Sequence, residues 1–138
     1  MQQYRFWTYI LTNWNKTVLY TGVTNNLALR LTEHWIGKEG SFTSRYRIHY
    51  LVWSEETKYI LNAIDLEKSL KNSSRELKCK LISDVNPAWL FWNSEVVGNW
   101  PPTDSQIEEV KQRWRREQDG LIDDPLSFLR QKQVPDGQ

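Results

Sequence analysis

The sequence predicts an α+β fold carrying a helical C-terminal extension. Three observations predict it. Two segments rich in aromatic and β-branched residues, YRFWTYILT (4–12) and TVLYTGVT (17–24), flank the turn signal NWNK and read as a β-hairpin. Apolar residues then recur at helical spacing through 57–72 and 74–83, with one more strand-like run, IHYLVWS (48–54), before them. Finally, Pro101-Pro102 breaks the chain, and a further amphipathic helix follows the break.

Each element has its own justification. On the second strand Val18, Tyr20 and Gly22 share one face, and Leu19, Thr21 and Val23 share the other. Gly22 weakens a strand and marks a bulge or a close backbone approach. Asn25 or Asn26 caps a helix running to about Trp35, with Leu27, Leu31 and Trp35 on one stripe. Arg30 and His34, four apart, point together from a neighbouring stripe, where a solvated helix face is the ordinary reading. GKEGSFTSRYR (37–47) is a glycine-bounded loop. Ile60, Ala63, Ile64 and Leu70 form the stripe of helix 57–72, and NPAW (86–89) ends the compact unit. In the extension, Ile107, Val110 and Trp114 line one face of a helix over 105–117 that stops at Gly120. DDPLSFLRQK gives a last short helix with Pro125 in its first turn, and QVPDGQ frays. The expected division is a domain at 1–98 and an extension at 99–138.

Composition narrows the function classes. A single cysteine, Cys79, excludes an internal disulfide and points to a reducing compartment, hence the cytoplasm. No apolar run reaches membrane-spanning length, and the start MQQYRFWTYIL lacks the pattern of a secretory signal. Net charge is +1, but residues 1–100 hold 12 basic against 9 acidic side chains and residues 101–138 hold 6 against 8. That balance permits nucleic-acid binding without arguing for it. Eight tryptophans suit core packing first and base stacking second.

Glu67 is the most informative single residue. It lies in an apolar stripe, where a carboxylate needs a partner. The ordinary readings are an ion pair with Lys71 or an arginine, or a stripe edge that stays wet; a bound cation is the sharper one. Tyr9 and Tyr20 on facing strands are ordinary sheet residues if taken singly, as are Arg30 and His34 on their helix. As a set, the five suit phosphodiester cleavage. A guanidinium holds phosphate, a carboxylate binds a hard divalent cation, and a phenol or imidazole moves protons.

WTY (7–9), YTG (20–22), Arg30, His34, Glu67 and Asn86, at their spacing, resemble the GIY-YIG nuclease family, nearest its small stand-alone bacterial single-domain branch. The resemblance covers roughly residues 4–92. It implies a three-stranded antiparallel sheet flanked by helices, and a metal-dependent DNA endonuclease with Mg²⁺ or Mn²⁺ on Glu67. It also implies Tyr9 and Tyr20 as the two active-site tyrosines, Arg30 and His34 as the phosphate-facing pair, and Gly22 and Asn86 in support. The chain departs from the pattern in its first motif, WTY, and in Thr21 within the second. It departs again in Asp65 and Ser73, where basic and tryptophan residues are common, and in Arg45 where lysine is common.

Arg45, Lys71, Arg75 and Lys78 are the candidate contacts to DNA, expected to be duplex or branched; such clusters are otherwise solvated faces. Two rival readings stand beside the nuclease: a catalytically inactive nucleic-acid-binding module on the same fold, and an interaction protein that recruits a partner or self-associates through Ile107, Val110 and Trp114.

Overall fold

Strand β1 (Phe6–Thr12) runs down the middle of a three-stranded antiparallel sheet, with β2 (Leu19–Thr24) on one side and β3 (Tyr50–Thr57) on the other. This computed structural model describes residues 4–37 and 41–120. The β1–β2 hairpin forms where its composition predicts. Its turn is clamped by Asn13, whose Oδ1 accepts hydrogen bonds from the backbone N–H of Thr17 at 2.8 Å and of Val18 at 3.1 Å. Tyr9 lies opposite Gly22, and Leu11 opposite Tyr20.

Against β3 the register slips between Ile10 and Leu11: Ile10 faces Trp53 and Leu11 faces Leu51, leaving Val52 as the extra residue of a bulge. The bulge sends Val52 and Trp53 into the same apolar cluster as Ile10, Leu19, Leu70 and Ile82. Leu51 joins Tyr9, Leu11, Tyr20, Leu27, Leu31 and Ile48 on the opposite face.

Among the described residues six helices complete the order: α1 (Leu27–Ile36), α2 (Phe42–Arg45), α3 (Ile60–Lys71), α4 (Arg75–Val85), α5 (Asn93–Val97) and α6 (Asp104–Gln118). Asn26 caps α1 by accepting from Leu29 N, and Ser74 caps α4 in the same way. Thr103 and Gln106 form a reciprocal capping box at the start of α6. α3 packs against all three strands, and Thr8 Oγ1 donates to the Ala63 carbonyl at 2.9 Å.

Four expectations change. The loop expected at 37–47 contains α2, capped by Ser41. The third strand begins and ends later than 48–54, and the helix expected from 57 starts at Ile60 because 57 still belongs to β3. The compact unit does not end at NPAW. Trp92, Val96, Val97 and Trp100 pack on the core, and Asn93 acts as a piece of strand. Its Oδ1 accepts from Leu51 N at 2.8 Å and its Nδ2 donates to the His49 carbonyl at 2.7 Å, satisfying the free edge of β3. α6 packs on α1 with Val110 buried, while Ile107 and Trp114 are half-buried. The short helix and frayed end expected after Gly120 lie outside the described residues.

Candidate active site

Four residues of α1 face the sheet: Leu27, Arg30, Leu31 and His34, all buried. Their spacing of three, four and seven is that of one broad helix face. Arg30 and His34 therefore share the apolar stripe and do not form a solvated one. They tolerate burial because their polar atoms meet a partner that β1 supplies.

That partner is Tyr9. Arg30 Nε donates to Tyr9 Oη at 3.1 Å, and the same oxygen lies 3.1 Å from His34 Nε2. Burial pushes the Tyr9 phenol well above its usual range, against the pull of the Arg30 guanidinium, so the phenol stays protonated. Burial also opposes the charge on Arg30, but Tyr9, Tyr20 and Glu33 together outweigh it and the guanidinium keeps its proton. With Arg30 donating, the Tyr9 hydroxyl hydrogen is free to point at His34.

Gly22 makes room for this phenol. A Cβ placed on Gly22 would lie 2.5 Å from Cζ of Tyr9, well inside van der Waals contact. The glycine thus serves a close approach across the hairpin.

Tyr20, on the same sheet face, has its ring centroid 6.5 Å from that of Tyr9 and 5.4 Å from that of His34. The Lys71 ammonium sits over the Tyr20 ring, 5.7 Å from its centroid, and pairs with Glu67 at 3.0 Å. Tyr9, Tyr20, Arg30 and His34 thus form one connected group, and Glu67 joins it only through Lys71, from α3 on the other face of the sheet. Glu67 is buried, with Lys71 as the ion-pair partner and the more exposed member of the pair. Among the described residues no group of three or more His, Cys, Asp or Glu gathers as a metal cluster. Glu67 is the one carboxylate among the five, so a divalent ion there would take its other ligands from water and substrate.

Two groups near the site escaped the sequence reading. Glu33, three residues after Arg30, places Oε1 3.8 Å from its Nη1 and receives the Trp114 indole N–H on Oε2 at 2.6 Å. The R-x-x-E spacing was visible; its partner 81 residues away was not. His49 holds its Nδ1 3.0 Å from the His34 carbonyl, and burial lowers its affinity for a proton.

Other candidates sit elsewhere. Asn86 is buried beside β3: its Nδ2 donates to the carbonyls of Val52 and Leu90 and its Oδ1 accepts from Leu90 N. Those bonds brace a turn and reach none of the five. Arg45 and Arg75 are exposed, as a DNA contact requires. Lys78 is corrected: it is 1 % exposed, so its helical spacing with Lys71 and Arg75 does not put it on a surface that DNA could touch.

The sequence profile of the GIY-YIG catalytic domain matches residues 5–80. The chain is a small member of the GIY-YIG nuclease family, and its antiparallel sheet and flanking helices are that fold. Among curated proteins it is similar to UPF0213 protein SH2523 of Staphylococcus haemolyticus (strain JCSC1435), 35% identical over 66 residues that cover 48% of this chain and 80% of that protein. No solved structure matches the chain. No described helix is long and apolar enough to cross a membrane.

Proposed function

We propose that the protein is a divalent-metal-dependent endonuclease that hydrolyses phosphodiester bonds in DNA. The hydrogen-bonded run Arg30–Tyr9–His34 carries this reading, because it joins a fixed cation, a proton donor and a base inside one buried corner. Arg30 offers its Nη groups to a phosphate, and the low polarity around it strengthens that attraction. Tyr9 takes a proton from the attacking water while passing its own to His34 Nε2, so no ionised phenol has to persist in a buried place. Tyr20 walls the corner, and Lys71, the most exposed member of the group, marks the side from which a strand enters. Glu67 would hold the cation, Mg²⁺ or Mn²⁺, which draws charge from the phosphate oxygens. A single cysteine is in keeping with work in the reducing cytoplasm.

One observation favours the rival, a nucleic-acid-binding module without catalysis: Glu67 already has a counter-ion in Lys71. The same experiment separates the two. Duplex, nicked, branched and single-stranded DNAs are incubated with the protein, with and without Mg²⁺ or Mn²⁺, beside a Glu67→Gln control. Cleavage that needs the ion and vanishes in Glu67→Gln is the expected result. Binding without cleavage by the wild type under every condition would leave the module.

A further inference from the structure

Trp14 is the one tryptophan with most of its surface in water, 73 % exposed, and none of the site chemistry uses it. It is not loose. The Asn13 clamp fixes the turn that carries it. Its ring meets Tyr50 at 5.8 Å and 64°, and Phe91 at 5.7 Å and 57°. Tyr50 and Phe91 in turn stack on each other at 4.3 Å and 22°. Two rings thus hold the indole obliquely and leave much of it open, an orientation set before any ligand arrives.

Cations lead from this cluster back to the site. Lys16 Nζ lies 5.4 Å from the Phe91 centroid. Arg75 reaches the Lys16 carbonyl at 3.4 Å, which brings the start of α4 beside the hairpin turn. Lys71, the last residue of α3, four before Arg75 opens α4, covers Tyr20 and pairs with Glu67. Glu67, Lys71, Arg75, Lys16 and Trp14 therefore succeed one another along one flank. Tyr9 and Trp14 are separated by at most about 18 Å of extended chain. A basic track ending on an open aromatic face fits a nucleic-acid strand: phosphates follow the cations and a base stacks on the ring. Paired bases inside a duplex are stacked on both neighbours and have no face to offer, so away from a duplex end the face selects an unpaired base.

We propose that Trp14, backed by Tyr50 and Phe91 and flanked by Lys16 and Arg75, is a stacking subsite for an unpaired nucleobase, and that the DNA taken by this protein carries a single-stranded segment. The proposal deepens the nuclease reading, yet its test is of binding alone. Anisotropy of a short fluorescein-labelled oligothymidine is measured with the full chain in metal-free buffer, with a blunt duplex as comparison. The wild type is expected to bind the oligothymidine more tightly than the duplex. Trp14→Ala is expected to weaken oligothymidine binding about 5- to 160-fold, the span of base–aromatic stacking, and duplex binding far less. Lys16→Gln is expected to flatten the slope of log affinity against log salt by about 0.7, one released counterion on a single strand. Tyr59→Ala, another exposed aromatic at 67 %, is the control and keeps wild-type affinity. Equal binding of both DNAs by the wild type, or unchanged oligothymidine affinity in Trp14→Ala, overturns the subsite. So does a Trp14→Ala protein that differs from wild type only in self-association, which would make the face a protein contact. Stacking without cleavage would uphold the subsite and sink the nuclease; cleavage with Trp14 indifferent would do the reverse.

Discussion

The indole N–H of Trp114 donates to Glu33 Oε2 at 2.6 Å, joining α6 to the helix that carries Arg30 and His34. Glu33 is 5 % exposed, and its other oxygen faces Arg30. The extension therefore does more than cover an apolar stripe, because it supplies a polar bond to a carboxylate beside the candidate site. Trp114→Phe keeps most of the ring and removes the donor. Equilibrium urea unfolding should show a loss of about 1.5–3 kcal/mol, the usual worth of a hydrogen bond to a charged group. An unchanged midpoint would mean that water replaces the indole freely.

Gly22→Ala tests the hairpin approach. The backbone there needs no left-handed conformation, so the effect is purely steric: the new methyl meets the Tyr9 ring. Destabilisation of about 1–3 kcal/mol is expected, as for other overpacked cores. Adding Tyr9→Leu, which shortens the side chain, should recover part of it, giving a coupling energy above about 0.5 kcal/mol in a double-mutant cycle. Simple additivity would separate the two residues.

Arg30 calls for a gentler substitution than alanine. On a wet helix face truncation would cost the fold nothing, but Arg30 is buried. Arg30→Lys keeps a cation but loses the Nε bond to Tyr9 and the planar fork. Circular dichroism should stay close to wild type while cleavage of DNA falls about 10²- to 10³-fold, the cost of one lost donor to a developing oxyanion. Wild-type turnover in this variant would remove Arg30 from the chemistry.

For Glu67→Gln, metal-dependent cleavage should disappear and DNA binding remain. The Lys71 pair lies where the lysine can reach water, so stability should change by no more than about 1 kcal/mol. A gain in stability without metal would be expected only of an unpaired carboxylate, which Glu67 is not. Retained Mg²⁺-dependent cleavage would take the ion away from this residue.

His49 makes a pH-dependent contribution. Its proton affinity is lowered in the fold, first by burial and then by Arg47, against the bond to the His34 carbonyl. In the window between its folded and unfolded pKa values, the unfolded chain binds more protons, so stability rises with pH. The contribution is complete above the unfolded value, about 6.5, and fades as pH falls through the folded one. Unfolding free energies measured from about pH 7.5 to pH 5 should slope less steeply in His49→Asn than in wild type. Parallel slopes would show that His49 titrates as it does in the unfolded chain.

Local pattern carried much of the architecture. Alternation placed Tyr20 and Gly22 on one strand face, and Asn25 or Asn26 announced the helix that Asn26 caps. Pattern failed where a polar side chain is buried by a distant partner. Arg30 and His34 look like a wet stripe until Tyr9 is seen beneath them, 21 and 25 residues earlier. Asn93 reads as a loop residue because the strand edge it completes is 42 and 44 residues away. Lys78 looks like one of a row of surface cations, and only the packing of α4 shows otherwise.

The bond that seats the Arg30 guanidinium on Tyr9 also has a genetic consequence. On the proposed mechanism the interior and the reacting groups are the same atoms, so a screen for loss of function would return misfolded and chemically dead proteins from the same codons. Substitutions at 9, 22, 30 and 34 separate the two classes only when the amount of folded protein is scored alongside the phenotype. Even Tyr9→Phe, which keeps the ring, takes from Arg30 and His34 the hydroxyl that lets them be buried, so its phenotype too is read only beside the amount of folded protein.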